Sequence, residues 1–124
     1  MKKLLLVSFL LGSFLTFADS SNSFDILEDR FELKHTQLTD GTTQLKIDDV
    51  DIGVINNIPF INIEVETFIG KGSWDKFNKE AYKKIATNMA NELRTTLGST
   101  QKVLITLVLD PDIGDNVLLS EGQY

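Results

Sequence analysis

Apolar and polar residues alternate through two neighbouring stretches in the middle of the chain, which predicts a β-hairpin. In DVDIGVI the apolar side chains begin at Val50 and take even positions, and in IPFINIEV they take odd positions up to Val65. Between the two stretches stands Asn56-Asn57, and asparagine tolerates the positive φ angles of a two-residue hairpin turn. Such a turn pairs Val50 with Ile63, so it places both apolar rows on the same face of the sheet.

The apolar row changes parity just before this hairpin. Leu45 and Ile47 occupy odd positions, whereas the row continues from Val50 on even positions. Because side chains alternate strictly along a strand, one extra residue is needed to keep both parts on the same face. We therefore predict a β-bulge at Asp48–Asp49.

A first hairpin is predicted upstream. Phe31, Leu33 and His35 alternate with polar residues, the pattern of a half-buried strand. A three-residue loop, Thr39-Asp40-Gly41, would set Leu33 opposite Ile47 and His35 opposite Leu45. Gly41 would then supply the left-handed position that such a loop requires.

The second half of the chain predicts one long helix followed by one or two strands. Apolar residues recur at helical spacing over residues 74–97, with Ser73 as the N-cap and Gly98 as the residue that ends the helix. VLITLVL at residues 103–109 is apolar at every position except one threonine, which favours an interior strand. NVLL at residues 116–119 predicts a short last strand.

Together these elements predict an α+β fold. The order β-β-β-α-β, with a possible short final strand, gives a mixed sheet of four or five strands with one long helix packed on one face. The strands on either side of the helix should be parallel. The opposite face of the sheet should carry polar side chains, namely Glu32, Lys34, Lys46, Asn62, Glu64 and Glu66.

The N-terminal residues predict a targeting segment. Lys2 and Lys3 precede fourteen apolar or small residues, 4–17, which are too few for a helix that crosses a bilayer, and small residues follow at a cleavage position. We expect residues 1–18 to be a signal peptide, residues 19–23 a flexible lead-in, and residues 24–124 one domain. The protein would then be exported to the periplasm or the extracellular space, without a stable membrane span after cleavage.

Charge and composition narrow the possible functions. The net charge is −6 and becomes −8 when Lys2 and Lys3 leave with the signal peptide, which opposes binding to nucleic acid or anionic lipid. The chain has no cysteine and a single histidine, His35, which we expect to be a half-buried strand residue. Thiol nucleophiles and thiolate metal sites are therefore excluded. We predict no catalytic, cofactor-binding or metal-binding residue, no cofactor, and an unidentified protein as the partner.

One five-residue pattern occurs twice, as DVDIG at residues 49–53 and as DPDIG at residues 110–114. Paired aspartates followed by glycine occur in calcium loops, but within residues 110–121 Gly114 replaces a ligand at position 5 and Asp115 replaces the glycine that an EF-hand needs at position 6. We therefore interpret one copy as a continuing strand and the other as a turn begun by Pro111. On this interpretation Asp49 and Asp51 should lie far from Asp110 and Asp112, while a cation-binding structural module remains an alternative.

Two further features allow a functional and a structural interpretation. Trp74 is expected to cover the core rather than form an aromatic contact patch with Tyr82. Gly70-Lys71-Gly72 precedes a helix, where backbone N–H groups can hold an anion, although three residues are a weak signal.

IPFINIEV, the following helix, VLITLVLD and DIG together cover residues 58–114 and resemble the β-α-β unit of the tautomerase superfamily. In that family an N-terminal proline is the catalytic base. The corresponding residue here, Pro59, is internal, so the resemblance carries over no catalytic role. The sequence therefore predicts an exported, non-catalytic accessory or binding domain of the bacterial envelope or extracellular space, with a small tautomerase-like enzyme as an alternative.

Overall fold

The computed structural model describes residues 21–66, 70–110 and 114–124, so the expected signal peptide lies outside the described residues. The elements are α1 (Ser21–Lys34), β1 (Gln37–Thr39), β2 (Gln44–Ile55), β3 (Ile58–Glu66), α2 (Gly70–Lys76), α3 (Lys79–Leu97), β4 (Leu104–Asp110) and β5 (Val117–Gln123). The strands form one five-stranded sheet in the order β1-β2-β3-β4-β5. Only β3 and β4 are parallel among these neighbours. The predicted α+β fold with a mixed sheet and one long helix, α3, is confirmed.

The first element is a helix, so the strand predicted through Phe31, Leu33 and His35 is wrong. In α1, Phe24, Leu27 and Phe31 are buried, and their spacing of three and four residues places them on one helical face. Leu33 points the other way, with 82% of its surface exposed. The alternation at residues 31–35 was too short to distinguish the two periods. The helix spans Ser21–Lys34, so it begins within residues 19–23, which were predicted to be a flexible lead-in.

The connection between β1 and β2 also differs from the prediction. Leu38 pairs with Leu45, which leaves residues 40–43 as a four-residue connection in place of the predicted three-residue loop. Asp40 organises it: one carboxylate oxygen accepts hydrogen bonds from the backbone N–H groups of Thr42 and Thr43, and the other accepts from Asn78 N–H at 2.7 Å. These bonds hold the pKa of Asp40 well below its usual range. Asp40 therefore joins this loop to the start of α3.

The β2–β3 hairpin is as predicted. Asn56 and Asn57 have φ angles of 51° and 69°, as the two-residue turn requires. The pairing shifts between Ile47 and Asp49, which confirms the β-bulge. Beyond it the apolar residues pair across the hairpin as Val50 with Ile63, Ile52 with Ile61 and Val54 with Pro59.

The single helix predicted over residues 74–97 is divided in two near Phe77. Asn78, not Ser73, caps the long helix: its side chain accepts hydrogen bonds from the N–H groups of Glu80 and Ala81. Gly98 ends α3 in the left-handed conformation, with φ 68°, as predicted. The apolar residues keep helical spacing on both sides of this break, so the sequence pattern does not reveal it.

An aromatic cluster fills the junction between α2 and α3. The Trp74 ring contacts those of Phe77 and Tyr82, with centroids 5.8 Å and 5.1 Å apart. The Lys79 ammonium lies 4.3 Å from the Trp74 ring centroid and donates hydrogen bonds to the carbonyls of Trp74 and Phe77. Trp74 is buried, so it covers the core as expected.

The core lies between the sheet and the helices. In α3 the buried residues are Tyr82, Ala86, Met89, Ala90, Leu93 and Leu97, whereas Ile85 is only partly buried. Buried side chains alternate along β3 and β4, and β4 is an interior strand as predicted. The last strand, β5, is longer than the predicted residues 116–119. Among the described residues, no helix combines the length and apolarity needed to cross a bilayer.

We expect Leu93→Ala to lower the free energy of unfolding by about 2–5 kcal/mol, because it removes buried methyl groups from a fully buried position and leaves a cavity. Ile85→Ala, on the edge of the same helical face, should cost less. Urea denaturation followed by circular dichroism measures both. Lys84→Ala, an exposed change on the same helix, is the control, and an equal loss in all three variants would contradict this packing.

Candidate functional site

The face of the sheet opposite the core helices carries most of the strand acids. Along β3, Asn62, Glu64 and Glu66 alternate with buried residues and are themselves only partly covered. The sequence placed these three side chains and Lys46 on this face correctly. It was wrong for Glu32 and Lys34, because both belong to α1.

The acids on this face converge on Glu64. Carboxylate oxygens of Asp48, Glu64 and Asp110 all lie within 4.8 Å of one another, and so do those of Asp49, Asp51 and Glu64. These five residues and Glu66, which lies on the same side of β3 as Glu64, form what we call the acidic face: Asp48, Asp49, Asp51, Glu64, Glu66 and Asp110.

The local pairing explains this convergence. Asp49 stands opposite Glu64 in the β2–β3 ladder, and Asp110 stands beside Glu66 in the parallel β3–β4 ladder. Asp48 is the extra residue of the bulge, which turns it toward the same region. Asp49 and Asp51 of the first five-residue pattern and Asp110 of the second therefore all lie near Glu64.

Asp49 and Asp51 of the first copy and Asp110 of the second each have an oxygen within 4.8 Å of one on Glu64, but they belong to different groups of three. The separation expected between the acids of the two copies therefore stays a prediction. Asp112 lies outside the described residues. The hairpin register alone would have placed Glu64 beside Asp49. The approach of Asp110 depends on the β3–β4 register, for which the sequence has no local signal.

Burial and like charges act together on this site. Partial burial raises the pKa of Glu64, and the nearby carboxylates of Asp49, Asp110, Asp51 and Asp48 raise it further. Lys46 provides a counter-charge, with its ammonium 3.3 Å from a carboxylate oxygen of Glu66. The backbone pairing of the sheet thus holds these acidic side chains close together.

The spacing of the carboxylates permits one chemistry in particular. Calcium binds oxygen ligands at about 2.3–2.6 Å, so two oxygens on the same ion lie at most about 5 Å apart. Each group of three carboxylates meets this limit. Calcium takes about six to eight oxygens, so water or further oxygens would have to complete the coordination.

His35 does not lie on a strand, contrary to the prediction, and its side chain contacts residues of α1 and α3. It follows α1, and its Nε2 lies 3.0 Å from a carboxylate oxygen of Glu92 on α3. The other oxygen of Glu92 lies 3.3 Å from the Lys34 ammonium. The Phe31 ring packs against the imidazole, with the centroids 5.5 Å apart. These contacts fasten the end of α1 to α3.

The remaining sequence candidates do not add to the site. Pro59 is buried in β3 opposite Val54, so freeing its nitrogen would require cleavage of the chain within the sheet. The Gly70–Gly72 segment forms the start of α2, a helix of seven residues.

Comparison of the chain with protein-family models, with curated proteins and with solved structures finds no match.

We expect Glu64→Gln to raise the melting temperature at pH 7. The pKa of Glu64 is raised in the folded protein, so the ionised form of Glu64 destabilises the fold. This loss of stability disappears as the pH falls through the pKa of the folded state toward that of the unfolded state. The stability difference between the variant and the wild type should therefore shrink in acid. Thermal unfolding across this pH range measures it.

Glu121→Gln is the matched control, because Glu121 is an exposed acid of β5 outside both groups of three. If the two variants changed the melting temperature equally, the repulsion centred on Glu64 would not be the cause.

Proposed function

We propose that this protein is an exported, non-catalytic binding domain that docks a protein partner on its acidic face. The observation that carries the proposal is the concentration of carboxylates on one side of the sheet, where five acids form two groups that share Glu64 and Glu66 lies beside them on β3. Such an arrangement destabilises the isolated domain through self-repulsion, and a partner with opposite charge relieves it.

Apolar side chains beside the acidic face support binding to a protein surface. Phe60, Leu104 and Val108 are partly covered and belong to the same side of β3 and β4 as Glu64. Leu118, opposite Val108 on β5, is 55% exposed. Protein interfaces combine such apolar contacts with complementary charge, whereas nucleic acid and anionic lipid carry the same charge sign as this face. The favoured partner is therefore a protein surface rich in lysine or arginine.

The acidic face should bind a fluorescent Lys/Arg-rich peptide in a salt-dependent manner, because exposed charges are screened as ionic strength rises. In Asp49→Asn/Asp51→Asn/Glu64→Gln we expect the affinity to fall by about tenfold, the sum of a few surface charge contacts. Fluorescence anisotropy at low and moderate salt measures this.

The control variant is Asp25→Asn/Asp75→Asn/Glu80→Gln, which changes the net charge by the same amount at exposed helical positions. If it lost as much affinity as the first variant, binding would follow net charge alone. The proposal of a specific docking face would then be wrong.

A second candidate function is a cation-binding structural module, and the shared position of Glu64 in both groups of three favours it. Millimolar calcium should then raise the melting temperature of the wild type through preferential binding to the folded state. Glu64→Gln should abolish this rise, whereas Glu121→Gln should retain it. An unchanged wild-type melting temperature would exclude the module and leave the docking proposal standing.

A further inference from the structure

The outer edge of β2 is covered by a helix along most of its length. β1 pairs only with Gln44–Lys46, and one more bond joins Ile47 N–H to the Thr36 carbonyl. Ile55 and Ile58 close the two-residue turn as a pair, so residues 49, 51, 53 and 55 bond to β3. The backbone groups of Val50, Ile52 and Val54 therefore point away from β3.

Two glutamates of α1 bind this edge. The backbone N–H of Val50 donates to a carboxylate oxygen of Glu32 at 2.9 Å, and that of Ile52 donates to one of Glu28 at 2.8 Å. Residues four apart on a helix and residues two apart on a strand are separated by nearly the same distance, about 6 Å, so the two series match. The buried side chains of Phe24, Leu27 and Phe31 hold α1 in this position.

The covered edge is complementary to itself. Suppose that β2 of a second copy pairs antiparallel with this edge about a two-fold axis at Ile52. The backbone groups of Val50 would then bond to those of Val54 in the other copy, and Ile52 would pair with its own counterpart. Asp51 would stand opposite Gly53, and Asp49 opposite Ile55. No carboxylate would then lie directly opposite another.

We propose that α1 is an edge cover that prevents β2 from pairing with β2 of a second copy of this chain. Glu28 and Glu32 take the place of a neighbouring strand by accepting the hydrogen bonds of the edge. Uncovered strand edges readily add a strand from another molecule, and a covering helix is one way in which proteins prevent this. This role does not rest on the binding proposed for the acidic face, although Asp49 of that face lies near Glu32.

The test is the double variant Glu28→Ala/Glu32→Ala, which removes both hydrogen bonds between α1 and the edge of β2, so that β2 of a second copy can displace the helix there. We expect it to form dimers that dissociate on dilution, as measured by light scattering. In the diluted monomer the amides of Val50 and Ile52 should exchange at least about tenfold faster than in the wild type, since they have lost their acceptors. Glu28→Gln/Glu32→Gln keeps an accepting oxygen at each position and should retain the wild-type mass.

A charge at position 55 tests the pairing itself. Ile55 is 60% exposed, and in the proposed dimer it stands opposite Asp49 of the second copy. Added to the double alanine variant, Ile55→Glu should weaken dimerisation and Ile55→Lys should strengthen it.

A folded double alanine variant that keeps the wild-type mass at all concentrations would overturn the proposal. Equal dimerisation of the Glu and Lys variants at position 55 would also overturn it, because another surface would then be responsible. If the double alanine variant loses its circular dichroism signal, Glu28→Ala and Glu32→Ala are measured singly. If a folded single variant exchanges its edge amide fast but does not associate, the proposal would likewise be overturned.

Discussion

The register of the β2–β3 hairpin is the constraint on which the rest of the structure depends. The turn at Asn56-Asn57 and the bulge between Ile47 and Asp49 decide which side chain of each pair faces the helices. A slip of one residue would turn every side chain to the other face. The apolar row around Ile52 would then be exposed, and the acids beside it would be buried without partners.

The same register brings the carboxylates together. Alternation that buries Val50 and Ile63 necessarily directs Asp49 and Glu64 to the opposite side, next to each other. The parallel strand β4 then adds Asp110. Carboxylates so arranged oppose folding at neutral pH, so the apolar core must offset their repulsion. A local arrangement that costs stability is often a functional site, which is why we propose that this face binds a partner.

Hydrogen bonds that backbone N–H groups donate to carboxylates connect the N-terminal part of the chain to the sheet and to α3. Glu28 and Glu32 bind the N–H groups of β2, and Asp40 binds the start of α3 at Asn78. Burial raises the pKa of Glu32, the Val50 N–H bond opposes this rise, and the nearby Asp49 reinforces it. Acids thus have two roles here: some complete backbone hydrogen bonding, and others form a charged surface.

The sequence by itself determined the elements whose signals are local. The asparagine turn, the parity change at Asp48–Asp49, the Gly98 helix end and the apolar β4 all follow from the conformational preferences and alternation of neighbouring residues. Tertiary structure decided what depends on distant partners. Phe31 belongs to a helix because Phe24 and Leu27 pack with it in the core, and the long helix begins at Asn78, whose backbone N–H binds Asp40. Glu64 and Asp110 meet only through the β3–β4 register, since no local preference relates residues that far apart along the chain.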